Sequence, residues 1–313
     1  MDLSIVIPLF NKRPYIERAV DSVLRQTMQP REIIVVDDGS TDNGVSRVDG
    51  RAHVIRQPNA GVSVARNNGI AACATQWVAL LDADDEWKPE FLSKVSELVD
   101  RRPELVCIGT DFTDDYGEPM VGKIELRGDA IDDIFQQSLL RGFSVLSSSS
   151  VAVRRDALQA AGGFPAGCVL MEDTDTWMRL AWTGSIGFIP HGLATYYRSV
   201  PGSASKLHRH EPTLPIMVET YERWRQAGRI PAHLRDSSAK FARHWLFQFA
   251  RHLIFRGRGS EARATLQRFS ELCDGDPATT RRLVARSRVP QSLPLISRRI
   301  KSVLGLYRQP EFF

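Results

Sequence analysis

The chain has 313 residues and a formal net charge of +4, and 42% of its residues are hydrophobic, which predicts one large domain plus an extension with ample material for a core. The charge is uneven: residues 207 to 313 carry 20 Lys and Arg against 9 Asp and Glu, so an acidic body precedes a basic tail. The four cysteines are scattered without a C-x-x-C pair, and no apolar run approaches 18 residues, which argues against a zinc site, a signal peptide or a membrane span and predicts a cytosolic protein with reduced thiols.

In chain order, Leu3 to Leu9 reads as a strand ending near Pro8, and Tyr15, Ile16, Ala19, Val20, Val23 and Leu24 recur at helical spacing. Glu32 to Val36 reads as a second buried strand that runs into Asp37-Asp38-Gly39-Ser40. Val54-Ile55 marks a third strand, Gly61 to Ala74 a helix, and Trp77 to Leu81 a fourth strand. This alternation predicts an α/β fold with a mainly parallel sheet between helices. In such a sheet ligands bind beyond the carboxyl ends of the strands, where this sequence puts Pro8 and Asn11, then Asp37 and Asp38, then Asp82 and Asp84.

The run from Trp77 to Trp87, W-V-A-L-L-D-A-D-D-E-W, is the densest of these ends, with four acids within five positions. Two carboxylates about 4 Å apart repel by roughly 1 kcal/mol in water and about 4 kcal/mol at an effective dielectric near 20, so such a cluster favours a cation. The competing reading is a solvated turn that caps the helix beginning near Pro89. Two acid pairs at one sheet edge favour a site, because their uncompensated charge costs stability that a metal or a donor-rich ligand recovers. There is no G-x-G-x-x-G and no Walker loop, so the phosphate cradles of dehydrogenases and P-loop enzymes are missing.

Further along, Asp111 to Leu126 reads as a hairpin or loop excursion, Ala130 to Leu140 as a helix, and Ser147 to Val153 as a small-residue strand. The Ser147 to Ser150 run either lines an acceptor channel or fills a strand where larger side chains do not fit. Glu172-Asp173 reads as a helix start, since Trp177, Leu180 and Ala181 follow at helical spacing. Beyond residue 207, Met217 to Trp224, Ala239 to Phe255, Ala262 to Leu272 and Thr280 to Val284 read as helices. Ile296, Ile300, Val303, Leu304 and Tyr307 share a helical face beside Arg298, Arg299, Lys301 and Arg308, a pattern that suits an anionic membrane surface or a packed helix with a solvated basic side. No reading motif or aromatic platform accompanies the basic charge, so nucleic acid is not expected as a partner.

Several of these stretches together resemble the family-2 glycosyltransferases: S-I-V-I-P-L-F-N-K (Ser4 to Lys12), S-V-L-R-Q-T (Ser22 to Thr27), E-I-I-V-V-D-D-G-S-T-D (Glu32 to Asp42), G-V-S-V-A-R-N-N-G (Gly61 to Gly69), L-D-A-D-D, G-G-F (Gly162 to Phe164) and E-D-T-D-T-W-M-R-L (Glu172 to Leu180). The match covers roughly residues 1 to 205, in the family's order. It implies a GT-A fold over residues 1–206, with a nucleotide-sugar half at 1–110 and an acceptor half at 111–206, followed by a basic helical region at 207–313. It also implies a nucleotide diphospho-sugar donor, transfer of the sugar to a hydroxyl with inversion, and Mn²⁺ or Mg²⁺ as cofactor.

Residue by residue, the resemblance sets Pro8 and Asp38 at the base, with Asp37 beside Asp38 and Asn11 on the donor side. Arg66 faces the nucleotide or diphosphate, Asp82 lies near the ribose, Asp84 binds the metal with Asp82 as a second candidate ligand, and Asp173 is the catalytic base. Glu172 and Arg198 complete the candidate set. The implied acceptor is a glycan or a lipid-linked hydroxyl in a bacterial surface polysaccharide or lipopolysaccharide pathway, reached from the cytoplasmic face of the membrane. Val200 stands where family members often carry His, which puts a third metal ligand or diphosphate contact in doubt, and His208 and His210 read as surface residues. Thr220 to Trp224 approaches the Q-x-x-R-W motif of processive synthases but lacks the Gln, so one sugar per encounter is expected. The alternatives are a binding or scaffold protein of the same fold without turnover, and a metal phosphohydrolase that uses D-x-D-D; the second has no need of Asp38 or Asp173.

Overall fold

The computed structural model describes residues 2–200 and 212–288, and the chain divides into two compact units, Met1–Pro201 and Gly202–Phe313. In the first unit the apolar runs become strands β1 (Leu3–Leu9), β2 (Glu32–Asp37), β3 (His53–Arg56) and β4 (Trp77–Leu80), joined through helices α1 (Ile16–Leu24) and α2 (Val62–Ala72). These four strands pair in parallel in the order β3-β2-β1-β4. Their side chains are buried along β1, β2 and β4, as continuous apolar runs in a parallel sheet require. Helix α2 lies close on this sheet: a Cβ on Gly69 would come within 2.5 Å of the Val6 side chain.

The acid run then turns into β5 (Glu86–Trp87) and helix α3 (Phe91–Arg101), followed by β6 (Cys107–Asp114), β7 (Leu126–Arg127), β8 (Ala130–Ile131), helix α4 (Ile134–Arg141), β9 (Val151–Arg154), helices α5 (Arg155–Ala161) and α6 (Glu172–Ala181), and β10 (Ile186–Tyr196). The sheet continues β4-β9-β6-β10-β8-β7, with β9 antiparallel to both β4 and β6, and β5 pairing with β10. The α/β architecture with a mainly parallel sheet is therefore as expected, and β9 is the antiparallel strand inserted at its centre.

The second half departs locally from the sequence reading. Asp111 to Asp114 belong to β6, because the buried Asp111 carboxylate caps the following excursion by accepting from the backbone N–H of Val121 (2.9 Å) and Gly122 (3.1 Å). The helix expected from Ala130 starts at Ile134, where Asp133 accepts from the N–H of Phe135 and Gln136 as an N-cap; Ala130–Ile131 is strand. The Ser147 to Ser150 stretch is a short 3₁₀ turn, Ser148–Ser150, that leads into β9. Strand β10 has no counterpart in the sequence reading because Pro190 interrupts its pattern. The structure accommodates that proline by shifting register against β6 between Ile189 and Gly192.

In the second unit the described helices are α7 (Ile216–Gln226), α8 (Arg235–Phe255), α9 (Gly259–Arg268), α10 (Ser270–Cys273) and α11 (Pro277–Arg286). The single helix expected over Ala262 to Leu272 divides at Phe269, which leaves helical dihedrals (φ −108°, ψ 37°) and is buried. Phe241, Trp245, Leu246 and Leu253 of α8 share this unit's core with Leu266, Leu272 and Leu283. The amphipathic segment from Ile296 to Arg308, together with His208 and His210, lies outside the described residues. No described helix is long and apolar enough to cross a membrane.

Candidate active site

The carboxyl ends of β1, β2 and β4 lie side by side, which brings three of the sequence's candidate groups to one edge. Pro8 lies inside β1 rather than after it, buried and paired with Val36. Its missing N–H falls on the β4 side, where the pairing of β1 with β4 stops at Leu80. Asn11 follows in the left-handed region (φ 51°). Its backbone N–H donates to Ser40 Oγ (3.0 Å) and its Oδ1 accepts from the Thr41 N–H (2.8 Å), tying the loop after β1 to the loop after β2.

Asp37 ends β2 and Asp38 follows it, and both are buried. Asp37 Oδ1 accepts from the Ser40 N–H (3.0 Å). Asp38 is held more fully: Oδ1 accepts from Gln57 Nε2 (2.7 Å) and the Ala60 N–H (2.8 Å), and Oδ2 from the Gly61 N–H (2.9 Å). A carboxylate satisfied by backbone amides is fixed in place, so Asp38 orders the turn into α2 as well as facing the sheet edge.

The acids after β4 are held by different groups. Asp82 Oδ1 accepts from Arg66 (2.8 Å), and Asp84 Oδ2 from the Lys12 ammonium (2.6 Å). Arg18 donates to the Asp84 carbonyl and stacks on the Tyr197 ring, 3.6 Å from its centroid. Asp85 points inward and is 1% exposed. It accepts from Ser149 Oγ and from the Tyr197 N–H (3.0 Å), while burial and the charges of Asp84 and Asp82 push its pKa well above the ordinary carboxylate range. Ser149 Oγ in turn accepts from the Asp82 N–H (3.1 Å), and the Ser149 carbonyl accepts from Trp87 Nε1 (2.7 Å). Ser149 thus clamps the acidic turn, and the serine run lies against that turn.

Arg66, on α2, joins this turn to α6. Buried at 3% exposure, it binds Asp82 through one terminal nitrogen and Glu172 (2.9 Å) through the other. Burial acts to lower its pKa, but the charges of Asp82 and Glu172 outweigh burial and raise it. Its guanidinium lies over the Phe164 ring, and Phe164 packs edge-on against Trp177 of α6. Asn67 fastens the G-G-F turn to α2 by accepting from the Phe164 N–H (2.9 Å) and donating to the Phe164 carbonyl (2.8 Å). Gly163 there has φ +68°, a conformation that disfavours a side chain.

Glu172 and Asp173 open α6, just after Met171 in the left-handed region (φ 65°). A buried ion pair, Arg179 with Asp175 (2.7 Å), and a bond from Arg179 to the Ala161 carbonyl (2.6 Å) anchor the helix to the end of α5. Burial and the adjacent Glu172 charge push the Asp173 pKa up to about 7, with Arg66 opposing. Asp173 Oδ1 accepts from the Thr174 N–H (2.6 Å) and Thr174 Oγ1 (3.2 Å), which leaves Oδ2 for a proton.

Asp82, Arg66, Glu172 and Asp173 thus form one connected group, with Asp84 and Lys12 beside it and Asn11, Asp37 and Asp38 at the neighbouring strand ends. Arg198 is exposed after β10, and its charge acts on Asp115. Sequence reasoning assigned no role to Lys12, Arg18 or Tyr197, counted Asp85 only within the acidic run and read Ser149 only within the serine run as acceptor-channel lining or strand filler; the Lys in F-N-K and the third Asp of L-D-A-D-D were the visible signals. Among the described residues no group of three or more His, Cys, Asp and Glu could hold a metal by itself. Asp84 and Asp82 each place one oxygen on a side-chain cation and keep the other, a donor set that fits a hard divalent ion completed by phosphate oxygens.

Residues 4–162 match the family model for glycosyl transferase family 2. Among curated relatives, an uncharacterized glycosyltransferase of Nostoc sp. is 30% identical over 211 residues, 63% of this chain and 65% of the relative. EpsJ, an uncharacterized glycosyltransferase of Bacillus subtilis, is 35% identical over 116 residues (35% and 33%), and TuaG of the same organism, named provisionally for teichuronic acid biosynthesis, is 39% identical over 107 residues (32% and 42%). The matches span between about a third and two thirds of these relatives' length. Among solved structures, S. aureus TarS 1-349 in complex with UDP-GlcNAc superposes with a TM-score of 0.62 at 16% identity over 92% of each chain. The mannosyltransferase PcManGT of Pyrobaculum calidifontis, in complex with GDP-Man and Mn²⁺, gives 0.55 at 17% identity over 91% of this chain and 83% of its own. These likenesses show the GT-A fold.

Proposed function

The chain belongs to glycosyl transferase family 2, and on that premise we propose that it is a non-processive, inverting glycosyltransferase that moves a sugar from a nucleotide diphospho-sugar, a UDP-sugar foremost, to a hydroxyl of a glycan or lipid-linked acceptor. The observation that carries this reading is Arg66, which binds Asp82 at the end of β4 and Glu172 beside Asp173. One buried cation thereby sets the spacing between a donor end and a base.

In this reading Asp38, Asp37, Pro8 and Asn11 lie at the nucleoside, Asp82 at the ribose and Arg66 beside the diphosphate. Asp173 Oδ2 takes the acceptor proton as the hydroxyl oxygen attacks the sugar carbon opposite the leaving nucleoside diphosphate. A carboxylate whose pKa is pushed up to about 7 is matched to that task, since a general base works best near the operating pH. Arg66 holds α6 and the acidic turn in register, so donor and acceptor meet in line. A Mn²⁺ or Mg²⁺ ion on Asp84, with Asp82 as second ligand, would neutralise charge on the departing diphosphate when bound. Arg198, exposed beyond β10, stays a candidate site residue. The provisional name of TuaG supports a bacterial surface-polysaccharide role, and the basic segment at 293–313 supports work at the inner face of the cytoplasmic membrane.

The test is thermal unfolding against a panel of nucleoside diphosphates and nucleotide sugars with and without Mn²⁺. A ligand at 100 times its dissociation constant adds about 2.7 kcal/mol. The expected result is a metal-dependent shift from a nucleotide that disappears in Asp84→Asn. A panel without any shift would turn the assignment toward a binding module.

A further inference from the structure

Lys12 stands in F-N-K, directly after the left-handed Asn11, and its ammonium sits 2.6 Å from Asp84 Oδ2. Its main chain has little freedom. The Lys12 carbonyl accepts from the N–H groups of Tyr15 (2.9 Å) and Ile16 (3.0 Å) at the start of α1, and the flanking residues are tied to the loop after β2 through Asn11 with Thr41 and Arg13 with Asp42. Among the described residues the side chain, 16% exposed, hydrogen-bonds the Asp84 carboxylate, and its ammonium is 6.0 Å from the centre of the Tyr15 ring. A single-point cation on a four-carbon stem therefore occupies one oxygen of the carboxylate proposed for the metal.

We propose that Lys12 is a built-in counter-cation of Asp84, which a divalent ion displaces and which then turns its ammonium onto the phosphates of the bound donor. The inference rests on the reading of Asp84 as the metal-binding carboxylate. A lysine suits the exchange because its ammonium is a compact charge with rotatable donors on a four-carbon stem, and it binds phosphate as readily as carboxylate. Two positive charges cannot share Asp84 without repulsion, so Mn²⁺ entering alone must strand Lys12. Mn²⁺ entering with a nucleoside diphosphate gives Lys12 a new anion. Metal and nucleotide therefore bind cooperatively, and by linkage each strengthens the other by the same factor. Arg66 does not serve this way, since it is buried and bound at two terminal nitrogens.

The test measures Mn²⁺ binding by paramagnetic resonance of the free ion, with and without UDP, in the wild-type protein and in Lys12→Met, Lys12→Arg and Asp84→Asn. The expected result is that Lys12→Met binds Mn²⁺ alone about five-fold more tightly or better, with weaker UDP binding at saturating Mn²⁺ and a smaller mutual enhancement. Lys12→Arg, which keeps the charge, is expected to stay near wild type and so separates the effect from damage to the loop. Unchanged Mn²⁺ affinity in Lys12→Met, with binding lost in Asp84→Asn, overturns the role of Lys12 and leaves the metal assignment standing. Mn²⁺ binding unaltered in Asp84→Asn overturns both.

Discussion

Two clusters of acids end neighbouring parts of one sheet, and they look alike as sequence: Asp37-Asp38 after β2, and Asp82, Asp84 and Asp85 after β4. The first is held mainly by backbone amides, with Asp38 accepting from Ala60 and Gly61 and Asp37 from Ser40. In the second, Asp82 and Asp84 are held by the side-chain cations Arg66 and Lys12. Amides cannot leave without unfolding the turn, and Arg66 is buried between two carboxylates, whereas the Lys12 ammonium can exchange for another charge. The first cluster is a fixed wall, and the second is the place where charge is traded. Removing an acid should therefore cost stability as well as donor binding at Asp38, and function at Asp84.

The sharpest difference is expected on the functional side. Asp173→Asn, next to the Arg66 partner Glu172, should lower the transfer rate by roughly 10²- to 10⁴-fold while donor affinity stays near wild type. Single-turnover rates set against nucleotide binding will read this, and a normal rate would remove Asp173 from the base role. At the wall, Asp38→Asn turns an amide group toward backbone donors and should cost about 1–3 kcal/mol of stability even without ligand. Urea unfolding measures it. An Asp38→Asn protein as stable as wild type would erase the contrast between the clusters.

Ser149→Ala probes the clamp that holds the exchanging cluster, since it deprives both the Asp85 carboxylate and the Asp82 N–H of a partner. A loss of about 1–3 kcal/mol is expected for such buried groups, together with a poorer KM for donor. The smallest effect concerns pH. Folded Asp173 keeps its proton up to about pH 7, whereas the ordinary value is 3.8, so between these limits the folded state binds the extra proton and its stability declines as pH rises. Activity should climb through the same upper limit as the base ionises. Glu172→Gln removes a repelling charge and should move that limb to lower pH; a limb that stays in place would show that the Glu172 charge does not set it.

The parallel half of the sheet was legible because buried strands and their helices follow one another with clean periods, so β1 to β4 match their predicted runs closely. Beyond residue 110 local pattern gave way to long-range contacts. Asp111 is polar yet buried in a strand, since it caps a distant loop, and Pro190 hid β10. At the site, the acids could be read from their order along the chain. Their counter-ions could not, because Lys12 lies 72 positions from Asp84 and Ser149 lies 64 from Asp85, and no spacing rule links them. Pro8 was placed after its strand and lies within it, since the sequence does not reveal that the pairing of β1 with β4 stops at Leu80.

The most direct test of the whole account is release of nucleoside diphosphate from UDP-linked sugars in the presence of a bacterial lipid-linked glycan extract, comparing the wild-type chain with Asp173→Asn. The expected result is acceptor-dependent release by the wild type and its loss in the variant, with nucleotide binding retained. Equal release by both proteins, or none by the wild type from any nucleotide sugar that it binds, would contradict it.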